Sequence, residues 1–185
     1  MNMSKVYVFL AEGFEEIEGL TVVDLLRRAK IETEMVSIMN TKQVRGSHGI
    51  EVTADSLFTD HDYADAELLV LPGGMPGTLN LGNHEGLCEL LKKQYEAEKK
   101  IAAICAAPSI FGQLGFLNGR IAACYPGFES KLDGAIVLTT KVAVDGHVTT
   151  SRGLGTAIDF ALKLIEQLKD LKTAMEISEG IIHTV

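Results

Sequence analysis

Lys100-Ile101-Ala102-Ala103-Ile104-Cys105-Ala106-Ala107-Pro108 is the stretch on which the fold turns. Charge bounds it on one side and proline on the other, so its apolar run reads as a buried strand. Pro108 suits the first turn of a helix, where the missing N–H is no loss. Cys105 therefore stands at a strand-to-helix turn, near the C-terminal edge of a sheet, where open α/β folds keep their sites. The helix it introduces would aim N–H groups at the sulfur. That predicts a thiol pKa below the free value of about 8.5, in the range of roughly 4 to 7. The flanking alanines leave room for a sharp turn and for a substrate. An inert, buried structural cysteine fits the local pattern equally well.

The same alternation extends outward in both directions. Lys5 to Ala11, Thr33 to Met39 and Glu67 to Leu71 read as further buried strands. Glu15 to Ala29, His84 to Glu98, Pro108 to about Gly115, Leu154 to Leu168 and Leu171 to about Glu179 carry helical spacing. Gly46 to Val52 reads as a turn into a short edge strand. Arg120–Cys124, Ala135–Leu138, Lys141–Val144 and His147–Thr150 are short extended pieces, and Asp145-Gly146 is a hairpin signal. Repeated β-α units imply a mostly parallel sheet with helices on both faces, and the late hairpin adds an antiparallel edge. There is no linker, repeat or low-complexity tract, so residues 1–185 read as one domain.

Composition excludes several classes. With 46% apolar residues the chain is globular. A net charge of −8 argues against a general nucleic-acid binder and against docking on anionic lipid. Cys88, Cys105 and Cys124 have no disulfide-framework spacing, and no His/Cys pair has zinc spacing, so the expectation is free thiols and no metal. No stretch reaches transmembrane length and no segment reads as a signal. The expected location is the cytoplasm.

Three loops follow strands and should converge: Glu12-Gly13-Phe14-Glu15-Glu16-Ile17-Glu18, Pro72-Gly73-Gly74-Met75-Pro76-Gly77 and Cys105-Ala106-Ala107. They offer a nucleophile, carboxylates and glycine backbone able to point N–H groups at an anion. Glu15 and Glu16 read chiefly as helix-dipole and solvated acids. If Glu18 is buried beside the thiol it should be protonated, since adjacent anions repel. The glycine loop lacks a Gly-Lys-Ser/Thr ending and is no P-loop. Arg152-Gly153-Leu154-Gly155-Thr156 reads as a tight lead-in to the last long helix. Of His48, His61, His84, His147 and His183, none adjoins Cys105.

Leu10 to Glu18, Leu71-Pro72-Gly73-Gly74, Ala102 to Pro108 and Thr150 to Thr156 together resemble the ThiJ/PfpI family, in the branch of the Parkinsonism-associated deglycase and the bacterial chaperone YajL. The likeness runs from about Val6 to Ala174. It implies a flavodoxin-like three-layer sandwich of the class I glutamine amidotransferase-like type, usually a homodimer and without a cofactor. By that likeness Cys105 is the oxidisable nucleophile, Glu18 its protonated partner, and Gly74 and Ala106 the backbone donors to an oxyanion. The helix carrying Glu18 and Arg28 would lie near the dimer seam, with His48 of one subunit close to the site of the other.

Two departures stand out. The protease branch has His directly after the cysteine, where this chain has Ala106, so peptidase activity is not expected. The nearest branch has His-Pro where this chain has Tyr125-Pro126, and a phenol of ordinary pKa about 10 is a poor base at neutral pH. Two functions from different classes remain: a cysteine-dependent enzyme acting on small aldehydes or modified proteins, of glyoxalase or deglycase type, or a redox-sensing chaperone or binding protein. The thiazole-biosynthesis label of many members has no support in these motifs.

Overall fold

The computed structural model describes residues 5–183. The chain runs β1 (Lys5–Leu10), α1 (Glu16–Arg28), β2 (Glu32–Ser37), β3 (Gln43–Arg45), β4 (Glu51–Thr53), β5 (Ser56–Leu57) and β6 (Ala66–Leu71). It continues through α2 (Gly77–Gly82), α3 (Glu85–Glu96), β7 (Lys100–Ile104), α4 (Pro108–Gln113), β8 (Ile121–Ala122) and β9 (Ile136–Val137). The last elements are β10 (Val142–Asp145), β11 (Val148–Ser151), α5 (Ala157–Leu168) and α6 (Leu171–Gly180). Seven strands form one sheet in the order β10-β11-β7-β6-β1-β2-β5. Every pair is parallel except β10–β11, the expected antiparallel hairpin.

The central strands are apolar throughout because both faces are covered. In β1, Val6, Val8 and Leu10 pack toward α1, α5 and α6, while Tyr7 and Phe9 join the opposite core with Leu81, Leu91 and Phe111. β7 divides likewise, with Ala102 and Ile104 on the first face and Ile101 and Ala103 on the second. This is the three-layer α/β sandwich expected, with the flavodoxin-like arrangement of a parallel sheet between helices.

Three elements differ from the sequence reading. The 46–52 region is not an edge of the main sheet. β3 and β4 pair only with each other, and the short β5 takes the edge beside β2. α2 is a helix that the run Gly77–Gly82, with a glycine at each end, does not signal. The last long helix begins at Ala157, because Leu154–Thr156 form a tight 3-10 turn closed by the Gly153 N–H on the Thr156 hydroxyl at 3.1 Å.

Candidate active site

The convergence of the three loops is built by backbone hydrogen bonds. The Glu15 N–H donates to the Gly73 carbonyl at 2.9 Å, and the Gly77 N–H to the Gly13 carbonyl at 3.1 Å. Gly73 is obligatory there: a Cβ on it would stand 2.6 Å from the Cys105 Cβ and 2.7 Å from Glu18 Oε2. The thiol and the carboxyl thus close on the same residue from two sides.

Cys105 follows β7 directly and has a φ of 67°, a left-handed conformation rare outside glycine and costing ~1–2 kcal/mol. Only Ala106 and Ala107 separate it from Pro108, so the chain turns from strand to helix within a few residues and the strain falls on Cys105. Neighbours hold the turn in place. The Cys105 N–H donates to the Ser151 carbonyl at 3.0 Å, and the Cys105 carbonyl accepts from the Tyr125 N–H at 2.8 Å. The half-buried sulfur then receives the backbone N–H groups of Ala106 and Gly74. Gly74 reaches it with a φ of 90°, open to glycine at no steric cost.

Glu18 lies in the first turn of α1 and is buried. Its Oε2 accepts from the Gly73 N–H at 2.9 Å, the Leu154 N–H also reaches it, and the carboxyl meets the Cys105 thiol. Burial pushes Glu18 up to about 7, with a further push from the Glu15 charge, against the hydrogen bonds that favour its anion. The direction is the one expected from the sequence, while above about 7 the carboxyl is ionised. The thiol departs from expectation. Burial first, then the Glu18 charge, push Cys105 up to about 12, and the Ala106 and Gly74 N–H groups only moderate the rise. The helix N-terminus alone suggested a depressed value, but a sulfur this shielded beside a carboxyl loses more from desolvation and repulsion. The two groups titrate as a pair, which holds two protons below about 7 and one from there up to about 12.

The remaining candidates divide. The Tyr125 ring lies against Gly153, where a Cβ would meet its Cδ2 at 3.2 Å, and so it overhangs the carboxyl side of the pair. Glu15 acts on Glu18 through its charge. Arg28 is not brought to the thiol. It pairs with Asp24 at 2.7 Å in the last turn of α1, about 15 Å along the helix from Glu18. His48 reaches its own chain's acids, with Nδ1 3.1 Å from Glu16 Oε2 and 3.4 Å from Glu15 Oε2. The Cys88 thiol donates to the Gly82 carbonyl and Cys124 is buried in the core, so both are packing residues.

Glu16 corrects the sequence reading. It is not solvated but buried, accepting the N–H groups of His48 at 2.8 Å and Ile50 at 3.3 Å on Oε1. Burial works to raise it, yet these bonds and the His48 ring outweigh burial and hold the carboxyl at about 2. A Cβ on Gly46 would fall 2.2 Å from the Glu16 carboxyl carbon, so that glycine was the available signal. Among the described residues, Glu15, Glu16 and His48 are the group whose donor atoms, all within 4.8 Å of one another, could hold a metal ion. Their donor atoms meet one another and the Ser47 hydroxyl.

A strained cysteine at a strand-to-helix turn, a buried carboxyl against it and two backbone N–H groups on its sulfur define a thiol-nucleophile site on an α/β sandwich. The chain belongs to the DJ-1/PfpI family, whose model matches residues 4–167. It is 38% identical over 183 residues to the DJ-1 homolog B of Arabidopsis thaliana, covering 98% of this chain but 42% of that relative, so it spans less than half of that protein's length. It is 31% identical over 159 residues to the glutathione-independent glyoxalase DJR-1.2 of Caenorhabditis elegans, covering 85% of this chain and 84% of that one. Among solved structures, oxidized DJ-1 of Toxoplasma gondii superposes with a TM-score of 0.94 at 36% identity, covering 98% of this chain and 100% of that one.

Proposed function

We propose that this protein is a cysteine-dependent enzyme acting on reactive aldehydes, of glyoxalase or deglycase type. One observation carries the reading: the Cys105–Glu18 pair, sharing one proton beneath the Gly74 and Ala106 N–H groups. The sulfur adds to an aldehyde carbon, the carbonyl electrons move to oxygen, and the pair's proton goes with them, giving a hemithioacetal. The two backbone N–H groups would meet the oxyanion as it forms. Glu18, then ionised, takes the proton from the former aldehyde carbon and returns it to the neighbouring carbonyl carbon, while the hydroxyl proton on the first carbon passes to the neighbouring oxygen, giving a hydroxy thioester. Water cleaves the thioester to the hydroxy acid and frees the thiol. The worm relative's name supports this activity.

Purified protein should convert methylglyoxal to lactate well above a Cys105→Ser control. No difference between the two would defeat the reading. A redox-sensing chaperone or binding protein is the second reading, favoured by Tyr125. Among the described residues, the groups with the largest effects on the pair, beyond the pair itself, are the Glu15 carboxyl and backbone N–H groups, none of them an imidazole. We place the protein in the cytoplasm on its free, sparse thiols. Among the described residues, no helix is long and apolar enough to cross a membrane.

The same proposal includes a homodimer across α1. Ile17, Leu20, Asp24 and Arg28 share one helix face and line a cleft of about 520 Å³ with Ile50, Ile158 and Ile181. Ile17 and Ile50 are exposed there, and a second copy of the chain would cover them.

A further inference from the structure

Three large apolar side chains stand exposed on residues that adjoin the reacting pair: Met75 at 47%, Tyr125 at 50% and Leu154 at 47%. Each adjoins the site through the backbone. Met75 follows Gly74, whose N–H meets the sulfur. The Tyr125 N–H bonds the Cys105 carbonyl, and its ring lies over Gly153. The Leu154 N–H reaches the Glu18 carboxyl. The three residues come from three loops, after β6, after β8 and after β11, whose backbones all meet the reacting pair. The acids of the site are Glu18 and Glu15, the latter 3.4 Å from the His48 ring.

A small hydrated aldehyde would use none of this apolar surface. A ligand with an apolar substituent next to its electrophilic carbon would cover part of it, and an anionic substituent would meet like charge. Exposed apolar groups gathered around one polar centre are the usual make-up of a small-molecule site.

We propose that the site selects uncharged electrophiles carrying an apolar substituent, with Met75, Tyr125 and Leu154 as the residues that receive it. This rests on the aldehyde reading of the same site. The chemistry at the sulfur is unchanged, and only the group attached to the attacked carbon is specified. Covering on the order of 60 Å² of such a group corresponds to about a tenfold preference.

Alkylation separates this inference from turnover, because the sulfur displaces iodide whether or not the protein completes a catalytic cycle. Iodoacetamide, N-benzyl-iodoacetamide and iodoacetate would be reacted with the native protein and with the same chain unfolded in urea, at one pH. Mass spectrometry would follow the Cys105 peptide. The expected result is a benzyl-to-iodoacetamide rate ratio about tenfold higher on the native protein than on the unfolded chain, and an iodoacetate ratio below the unfolded one. Met75→Ser and Leu154→Ser should each lower the benzyl ratio severalfold, a comparison internal to each variant. An equal benzyl ratio in native and unfolded chains would overturn the proposal, as would a ratio that survives both substitutions. Failure of lactate formation with a preserved benzyl preference would overturn the aldehyde chemistry and leave the apolar selectivity standing.

Discussion

At the residue scale the site is a question of where one proton sits. Glu18 is pushed up to about 7 and Cys105 to about 12, each by burial first. Glu18→Gln keeps the size and an acceptor for the Gly73 N–H but removes the charge that raises the thiol. The expected outcome is a retained fold, a Cys105 labelling profile whose alkaline step moves to lower pH, and lost aldehyde turnover. Iodoacetamide labelling across pH reads the first effect and lactate release the second; unchanged turnover would remove Glu18 from the mechanism. The fold's stability carries the same signature. A carboxyl raised in the folded state contributes stability fully below its unfolded value of about 4.5, and that contribution is lost as pH rises through about 7. The Gln variant should therefore gain on the wild type over that interval.

At the element scale, α1 and the β3–β4 hairpin are joined by a single acid. Glu16 accepts hydrogen bonds from two backbone N–H groups of the hairpin turn and from the His48 ring. Its folded value of about 2 lies below the ordinary 4.5, so its stabilisation is complete above 4.5 and is lost as pH falls toward 2. Glu16→Gln should lower stability at neutral pH by about 2 kcal/mol, the worth of charge-assisted hydrogen bonds. For a chain of this size that is a fall of roughly 4–8 °C in Tm. Thermal unfolding at pH 7 and again near pH 2 checks it, since the difference should shrink in acid. Equal Tm values at pH 7 would show that the strap contributes nothing. Sequence left this strap illegible because an acid in a first helical turn looks the same whether it meets water or a distant loop.

At the scale of the whole molecule, the exposed Ile17 on α1 belongs to the surface that a second copy would cover in the proposed dimer. Ile17→Glu should convert a dimer to a monomer in sedimentation experiments by placing a charge in an apolar seam. A wild-type chain that sediments as a monomer at micromolar concentration would defeat the dimer. His48 contacts the acids of its own chain, so any reach toward a partner's site would pass through Glu15 and Glu16.

The alternation of apolar runs and helical stripes was enough to specify a parallel sheet between helices, because strands covered on both faces must be apolar throughout. The Lys100–Pro108 run likewise placed Cys105 at the turn, since Pro108 can only begin the following helix. The sequence motifs also named Glu18. The ionisation of the pair belonged to the tertiary structure. Burial and the approach of Glu18 depend on how α1, the Gly73 turn and β7 pack, and local charge patterns do not record desolvation. The same holds for buried Glu16, whose partners His48 and Ile50 lie 32 and 34 residues further along the chain. In each case the deciding contact joins residues remote along the chain, and only packing brings them together.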